Sequence, residues 1–352
     1  MKTNEGLLSI CCLGYNHADF LRENLDSIKR IDYPHIEVIV VDDGSSDNSV
    51  TLLKKIKKEF PFELKIITQE NTGNIGKNLN IACNFAKGGL ITFISLDDIF
   101  NSKSILEEIK IMNTNPKLAF VAAKKVVTIN DSSFINNVLP KLPIDTTEKP
   151  SLEELLDFEY TKFGAFYIQG VIFRKKVIDK IQCFDEDMTG DDIVLRTKLF
   201  KEMIYSGIWD YHLINSNNVF YRLHDNNIHK NSIRQIKIVT EYLDKYWPES
   251  DDPEILIDWV CNVICNKSSG DFLPMFSLNN RVSRLLKNER VQNSIKESIL
   301  SERPNIFNLI LSKKKIDKVN RQIVIFNYIK IDYKKKSKTK VNNNCHFLDY
   351  SN

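Results

Sequence analysis

The sequence has no uncharged apolar run close to the ~18 residues that a membrane-spanning helix requires, although its 352 residues are 42% hydrophobic. The mildly apolar stretch at residues 6–15 follows Glu5, and no small-residue cleavage site comes after it. We interpret this stretch as a buried strand and not as a secretory signal. We therefore expect a protein that does not span a membrane.

The patterns of cysteine and glycine argue against several further classes of protein. The seven cysteines show neither paired CxxC spacing nor a disulfide framework, which is typical of a reducing cytoplasm. No GxGxxG motif follows the first predicted strand, and this argues against a dinucleotide-binding protein. A nucleotidyltransferase is an alternative, but the glycine-rich basic loop that would hold its triphosphate is missing near the N-terminus.

Charge is unevenly distributed along the chain. Residues 313–340 contain eleven basic and two acidic residues, a net charge of +9. Because the whole chain has a net charge of +3, the remaining residues carry −6. This basic tail predicts peripheral contact with an anionic membrane surface, while a frayed and solvated C-terminus is the alternative interpretation. We expect no nucleic-acid partner.

Short apolar runs alternate with amphipathic segments over the first 130 residues, which is the pattern of βαβ units. We predict strands at residues 7–13, 37–41, 64–68, 90–95 and 118–129, and helices at 19–30, 49–60, 78–86 and 103–113. Residues 130–150 are rich in Asn, Ser, Thr and Pro, which predicts a flexible connection. Beyond Ser232 the pattern becomes mainly helical.

Two acidic pairs, Asp42-Asp43 and Asp97-Asp98, directly follow predicted strands. Because ligands of open α/β sheets bind beyond the carboxyl ends of the strands, we expect both pairs to face one cleft. Asp97-Asp98 can hold a hard divalent cation that bridges a diphosphate, and Asp42-Asp43 can accept hydrogen bonds from a nucleoside. The structural alternatives are a helix cap at Asp97 or Asp98 and an Asp-Gly turn capped by Asp47.

Two later segments also carry chemistry. Asp191 and Asp192 begin a predicted amphipathic helix, where capping and the helix dipole are a sufficient explanation, but either could serve as a general base. In the segment Tyr221-Arg222-Leu223-His224, the histidine could bind a metal and Arg222 could neutralise phosphate charge. A lone histidine is more often structural.

Over residues 7–230 these features resemble the family 2 glycosyltransferases, which have the Rossmann-like GT-A fold and invert the anomeric carbon. The matching segments are Cys12-Leu13-Gly14-Tyr15-Asn16, Glu37-Val38-Ile39-Val40-Val41-Asp42-Asp43-Gly44-Ser45, Asn71 with Gly73, Ala86-Lys87-Gly88, and Asp97-Asp98. The resemblance implies a mixed, mainly parallel sheet flanked by helices, followed by a mainly helical C-terminal extension.

The resemblance also implies a role for each residue. Asp192 would be the base and Asp191 the acid before it, Asp97 and His224 would bind Mn²⁺ or Mg²⁺, and Gln169-Gly170 would contact the acceptor. The donor would be bound by Tyr15, Asn16, Asp42, Asp43, Gly44, Lys77, Asp98 and Arg222. Ser95 departs from the family pattern, since an acid often stands there.

The expected function is therefore transfer of a sugar from a nucleotide-sugar, by default a UDP-sugar, to a saccharide acceptor. A polyprenyl-diphosphate-linked acceptor, as in bacterial polysaccharide, lipopolysaccharide or O-antigen synthesis, would place the protein in the cytoplasm at the inner face of the plasma membrane. We expect a glycosyltransferase domain at residues 1–230, with its donor side at 1–130 and its acceptor side at 150–230, and a helical region with the basic tail at 231–352. A catalytically silent nucleotide-sugar-binding module is the non-enzymatic alternative.

Overall fold

A computed structural model describes residues 4–130, 133–138, 142–145, 148–224, 231–301, 311–315, 320–325 and 329–334. The chain divides into two compact units, Met1–Asn227 and Ile228–Asn352. The predicted boundary at residue 230 lies outside the described residues. None of the helices in the described part of the chain combines the length and the apolar character needed to cross a bilayer.

The first unit is built on one mixed sheet. Its strands are β1 Asn4–Gly14, β2 Ile36–Asp42, β3 Glu63–Thr68, β4 Gly88–Ser95, β5 Ile99–Phe100, β6 Leu118–Asn130, β7 Ser133–Val138, β8 Ile172–Arg174 and β9 Asp210–Leu223. The order is β3-β2-β1-β4-β8-β6-β9-β5, with β7 paired to β6. The four strands from β3 to β4 are parallel, whereas β8 is antiparallel to both of its neighbours.

Helices cover both faces of this sheet: α1 Leu21–Lys29, α2 Ser49–Lys57, α3 Ile75–Phe85, α4 Ser102–Thr114, α5 Leu152–Thr161, α6 Lys175–Lys180 and α7 Asp192–Ser206. One apolar cluster lies between the sheet and α1, α2 and α4, and another packs against α3, α5, α6 and α7. β1 contributes Ile10 and Cys12 to the first cluster and Cys11 to the second. This two-sided burial explains why the central strands are continuously apolar, and the predicted fold class is confirmed.

Local signals determine where several helices begin. The Asn74 side chain accepts a hydrogen bond from the Lys77 N–H at the start of α3, and Ser151 with Glu154 forms a capping box at α5. Asp47 accepts a hydrogen bond from the Ser49 N–H at 2.9 Å, at the first residue of α2. The predicted helices differ from these by a few residues at their ends, as expected where ends depend on caps.

The prediction of a flexible connection or surface loop at residues 130–150 is wrong in part. Ser133–Val138 forms β7, which pairs antiparallel with β6 from Asn130↔Ser133 onward, and Pro143–Asp145 forms a 3₁₀ turn. The Asn- and Ser-rich composition obscured a hairpin whose pairing partner is the preceding strand.

The second unit begins with helices, as predicted: α8 Ser232–Tyr246, α9 Glu254–Asn266, α10 Ser269–Phe272, α11 Asn280–Arg284 and α12 Glu289–Ser301. Two 3₁₀ turns, Leu273–Ser277 and Leu285–Lys287, connect the shorter helices. The predicted basic tail differs from expectation, because it contains the antiparallel strands β10 Leu311–Lys315, β11 Asn320–Ile325 and β12 Ile329–Lys334. Residues 316–319, 326–328 and 335–340 of that tail lie outside the described residues.

Candidate active site

The two acidic pairs lie at one edge of the sheet, as predicted. In the parallel register Asp42 is opposite Gly14, and Ser95 is opposite Leu13, so β1 separates the ends of β2 and β4. A Cβ at Gly14 would lie 2.5 Å from Leu96 Cδ1, so a side chain there would require the Leu96 side chain to move. The close passage of β1 beneath Leu96 therefore brings the two pairs to either side of one strand.

Asp43 is buried and accepts four hydrogen bonds. Its Oδ1 accepts from Gln69 Nε2 at 2.9 Å, from the Thr72 N–H at 2.9 Å and from Thr72 Oγ1 at 3.0 Å, while Oδ2 accepts from the Gly73 N–H at 3.0 Å. Burial alone would raise the pKa of Asp43, but these hydrogen bonds, with a contribution from Asn78, lower it. Asp43 is therefore a rigid, ionised acceptor that holds residues 69–73 against the end of β2.

Gln69 and Asn78 were missed by the sequence analysis. The Gln69 amide contacts Asn78 Oδ1, which also accepts from Thr72 Oγ1 at 3.1 Å. Asn78 is 1% exposed. The available signal was an asparagine on the core-facing side of a helix whose other core-facing residues are mostly apolar, because a buried amide requires hydrogen-bond partners.

Asp42, Asn16 and Ser45 connect the ends of β1 and β2. Asp42 accepts from the Ser45 N–H at 2.9 Å and from Ser45 Oγ at 2.6 Å, and Ser45 Oγ accepts from the Asn16 N–H at 2.8 Å. Gly44 between them has φ +76°, and a Cβ there would lie 2.6 Å from the Asn71 backbone nitrogen. The neighbouring Tyr15 is 47% exposed, so its ring is available to a ligand at this edge.

Asp97 faces two imidazoles. Its Oδ2 lies 3.0 Å from His224 Nε2 and 3.8 Å from His17 Nε2, and its buried Oδ1 has no hydrogen-bond partner. Burial would raise the pKa of Asp97, but His17, Ser95 and His224 hold it below its ordinary value. The structure thus gathers an ionised carboxylate and two ring nitrogens from β1–α1, β4–β5 and the end of β9.

His17 is a further residue that the sequence analysis missed. Its Nδ1 is buried without a hydrogen-bond partner, and burial lowers its pKa despite the opposing charge of Asp97. The imidazole is therefore neutral at neutral pH, which is the form that binds metals. The signal was its position directly after the Tyr15-Asn16 motif.

Phe20 orders this group. The His224 ring stacks on it at 5.3 Å between centroids, the His17 ring meets its edge at 6.2 Å, and the Arg222 guanidinium lies 4.9 Å from its centroid. Phe20 immediately precedes α1, so the start of that helix positions both imidazoles.

Asp98 and Arg222 lie behind the surface of this edge, 1% and 7% exposed. Asp98 Oδ1 accepts from the Arg222 N–H at 2.8 Å, and Arg222 Nε donates to the Asp97 carbonyl at 2.9 Å while its NH2 contacts Glu23. Burial and the adjacent Asp97 raise the pKa of Asp98 well above its ordinary value. In this geometry the hydrogen bonds of the two residues hold β9 against the turn at residues 97–98. Their contact with the donor stays a prediction.

Gln169 and Gly170 attach to the end of β4. Gln169 Oε1 accepts from the Ser95 N–H at 2.8 Å, and the Gly170 N–H donates to the Phe93 carbonyl at 3.0 Å. Gly170 has φ +80°, and a Cβ would lie 2.5 Å from Asn218 Cβ. These residues place the predicted acceptor segment next to Asp97-Asp98.

Asp191 precedes α7 and Asp192 is its first residue, with 39% of the Asp192 side chain exposed. Partial burial and the neighbouring Asp191 raise the pKa of Asp192 well above its ordinary value, and Arg196, with its NH1 at 3.6 Å, opposes this. The rings of Tyr167 and Tyr221 lie 5.8 Å apart between centroids. Burial and the charges of Asp98 and Asp192 raise the pKa of both phenols. Burial raises the pKa of Tyr167 to about 12, so its phenol is neutral at neutral pH. The two tyrosines thus lie close enough to Asp98 and Asp192 to be affected by their charges.

Lys77 is exposed in the first turn of α3. A helix N-terminus favours anions, and a lysine there adds positive charge. No group of three or more His, Cys, Asp or Glu side chains within the described ranges is arranged to hold a metal ion by itself.

Comparison with known proteins identifies the domain. Residues 9–182 match the Glycosyl transferase family 2 model. An uncharacterized glycosyltransferase of Nostoc sp. is 23% identical over 229 residues, covering 63% of this chain and 66% of the relative. A poly-beta-1,6-N-acetyl-D-glucosamine synthase of Staphylococcus aureus is 29% identical over 188 residues, covering 53% of this chain and 43% of the relative. The chain thus spans between about two-fifths and two-thirds of these curated relatives.

Solved structures agree on the fold. The crystal structure of S. aureus TarS 1–349 in complex with UDP-GlcNAc superposes with a TM-score of 0.51 at 17% identity, covering 83% of this chain and 80% of that chain. Together with the acidic pairs at the ends of β2 and β4, the matched family model shows that residues 9–182 of this chain form a glycosyl transferase family 2 domain.

Proposed function

We propose that this protein is a metal-dependent, inverting glycosyltransferase that moves a sugar from a UDP-sugar to a saccharide acceptor. The observation that carries the proposal is the convergence at one sheet edge of Asp43, fixed by four hydrogen bonds, and Asp97, facing two imidazoles. The first provides a fixed acceptor for a nucleoside, and the second provides charge and nitrogen ligands where a diphosphate would lie.

The residues at Asp97 fit a divalent cation. The buried Oδ1 lacks a hydrogen-bond partner, and a hard cation satisfies such an oxygen. Asp97 and His224 would hold the ion, with His17 facing the same carboxylate, and the donor diphosphate would supply further oxygen ligands. Imidazole nitrogen favours Mn²⁺ over Mg²⁺. When bound, the ion neutralises charge that develops on the departing nucleoside diphosphate.

Asp192 is the base in this proposal. Its raised pKa makes the carboxylate a better proton acceptor than an aspartate of ordinary pKa, and a sugar hydroxyl must lose its proton as it attacks the anomeric carbon. A single displacement by that hydroxyl inverts the configuration. Tyr167 and Tyr221 would line the space between the base and Asp97-Asp98, while Lys77 and the start of α3 would attract the diphosphate.

For the donor we propose a UDP-sugar, with UDP-N-acetylglucosamine as the first candidate. TarS was solved with UDP-GlcNAc, and a curated relative is named as a poly-N-acetylglucosamine synthase. We expect UDP-GlcNAc with Mn²⁺ at 100 times its Kd to stabilise the fold by about 2.7 kcal/mol, which raises Tm by about 5 °C.

A thermal-shift panel of UDP-GlcNAc, UDP-glucose, UDP-galactose and GDP-mannose, each with and without Mn²⁺, measures this, and release of UDP reports turnover. GDP-mannose with Mn²⁺ is the matched control for nonspecific binding of metal and phosphate. No shift and no UDP release with any UDP-sugar would contradict the proposal, whereas a shift without turnover would favour a silent binding module.

For the acceptor we propose a polyprenyl-diphosphate-linked saccharide at a membrane surface, of the kind used in bacterial polysaccharide synthesis. The basic residues 313–340 support this, since each lysine near an anionic surface contributes about 1 kcal/mol of binding free energy.

Changing Lys334, Lys335, Lys336, Lys338 and Lys340 to Gln should weaken co-sedimentation with vesicles containing phosphatidylglycerol by at least about tenfold. Phosphatidylcholine vesicles are the control, and equal retention of both proteins by the anionic vesicles would argue against membrane contact.

A further inference from the structure

One guanidinium joins three parts of the first unit. Arg196 lies one turn after Asp192 on α7 and is 3% exposed. Its Nε donates to Glu159 Oε1 of α5 at 2.8 Å, its NH1 donates to the Phe166 carbonyl at 2.7 Å, and the same NH1 lies 3.6 Å from Asp192 Oδ2. Arg196 is thus the link between the base, a buried acid and the segment that leads to Tyr167.

Glu159 is the anchor of this link. It is completely buried, and its Oε1 also accepts from the Ala165 N–H at 2.9 Å. Glu159 therefore fixes both the guanidinium and the chain at Ala165, four residues before Gln169. Gly164 leaves room for the guanidinium, since a Cβ there would lie 3.0 Å from Arg196 NH2.

We propose that Glu159 and Arg196 are positioning residues that orient the Asp192 carboxylate and set its basicity through their opposing charges. This inference rests on the proposed role of Asp192. A buried ion pair is weak evidence for stability, because desolvation offsets much of the attraction. Arg196 approaches the proposed base Asp192, and the same ion pair holds the chain that leads to the proposed acceptor segment at Gln169. We therefore assign the Glu159–Arg196 pair a role in catalysis in addition to any effect on stability.

The charges around Asp192 make the inference testable. The groups that face it are Asp191 directly before its helix, Arg196 on that helix, Glu159 on α5, Tyr167 after α5 and Tyr221 on β9. Asp191 and Glu159 raise its pKa, and Arg196 lowers it. Neutralising Glu159 should therefore lower the pKa of Asp192, whereas removing Arg196 should raise it.

The experiment compares Glu159→Gln with the double variant Glu159→Gln/Arg196→Met, which leaves no unpaired buried charge. We expect the Asp192 pKa to fall in the first and to rise in the second, by about one pH unit relative to wild type. Lys198→Met is the matched control, because it removes a positive charge from the same helix, where Lys198 pairs with Asp185 at 2.7 Å.

The pKa of Asp192 is read without substrate. Each protein is compared with the same protein carrying Asp192→Asn, and the difference in Tm is followed from about pH 4 to about pH 9. Because the folded pKa of Asp192 is raised, its ionisation costs stability as pH rises through that value, and the asparagine removes this loss. The pH at which the difference levels off reports the folded pKa, and it should move down in Glu159→Gln and up in the double variant.

A second measurement follows the pH profile of UDP release from UDP-GlcNAc with Mn²⁺, whose acidic limb should move in the same directions. If neither variant moves the stability-derived pKa, or both move it the same way, the pair is only structural and the inference is wrong. If that pKa moves as expected but the acidic limb does not, Glu159 and Arg196 act on Asp192 as inferred, and Asp192 is not the base.

Discussion

Asp192→Asn is expected to reduce sugar transfer by about 10²- to 10⁴-fold, the usual contribution of a general base. The amide has nearly the same shape as the carboxylate but cannot accept the hydroxyl proton. Asp192 begins α7 and is not one of the residues proposed to bind the donor or the metal. Donor binding should therefore survive.

The measurement is a rate of UDP release with acceptor, alongside the Tm shift that UDP-GlcNAc and Mn²⁺ produce. Asp179→Asn is the matched control, since Asp179 is also a partly exposed helical aspartate with a basic partner four residues away, Lys175. A variant that keeps more than about a tenth of the wild-type rate would remove Asp192 from the role of base.

Asp97→Asn is expected to abolish the metal-dependent part of donor binding and to slow transfer by at least about a hundredfold, since losing about 3 kcal/mol of transition-state stabilisation has that effect. The physical reason is that Asp97 is the carboxylate that both His224 and His17 approach. Without its charge, two imidazoles and a diphosphate would hold the cation weakly.

The readout is the Tm increase produced by Mn²⁺ with UDP, taken as the difference between samples with and without ligand. This difference cancels any change in the stability of the ligand-free fold, which is expected because Asp97 has a lowered pKa and so contributes stability above its unfolded pKa. Asp26→Asn, at an exposed helical ion pair with Lys29, is the control. An undiminished Mn²⁺ effect in Asp97→Asn would place the metal elsewhere.

Much of the first unit could be predicted from local patterns. The continuous apolar runs of β1, β2 and β4 and the helical spacing of Leu21, Leu25 and Ile28 each reflect burial by neighbouring layers. Because parallel strands end at a common edge, the position of Asp42-Asp43 and Asp97-Asp98 after two such strands already implied that they meet.

Strand pairing could not be predicted in this way, even where the paired strands follow one another along the chain. Ser133–Val138 is a strand because β6 offers it a partner, and the strands of the basic tail pair with one another over residues 311–334. Strand formation depends on such neighbours more than on the preference of the segment itself.

The sequence by itself determined the fold class, the family and the two acidic pairs at the sheet edge, because apolar periodicity and contiguous motifs are local properties of the chain. Only the tertiary structure decided which residues act on those acids. His17 faces Asp97 from 80 positions away, Glu159 reaches Asp192 through Arg196, and Asp98 is turned inward to Arg222. Burial, charge and hydrogen-bond partners arise from segments that meet only in the folded chain, and these set the ionisation of each carboxyl group.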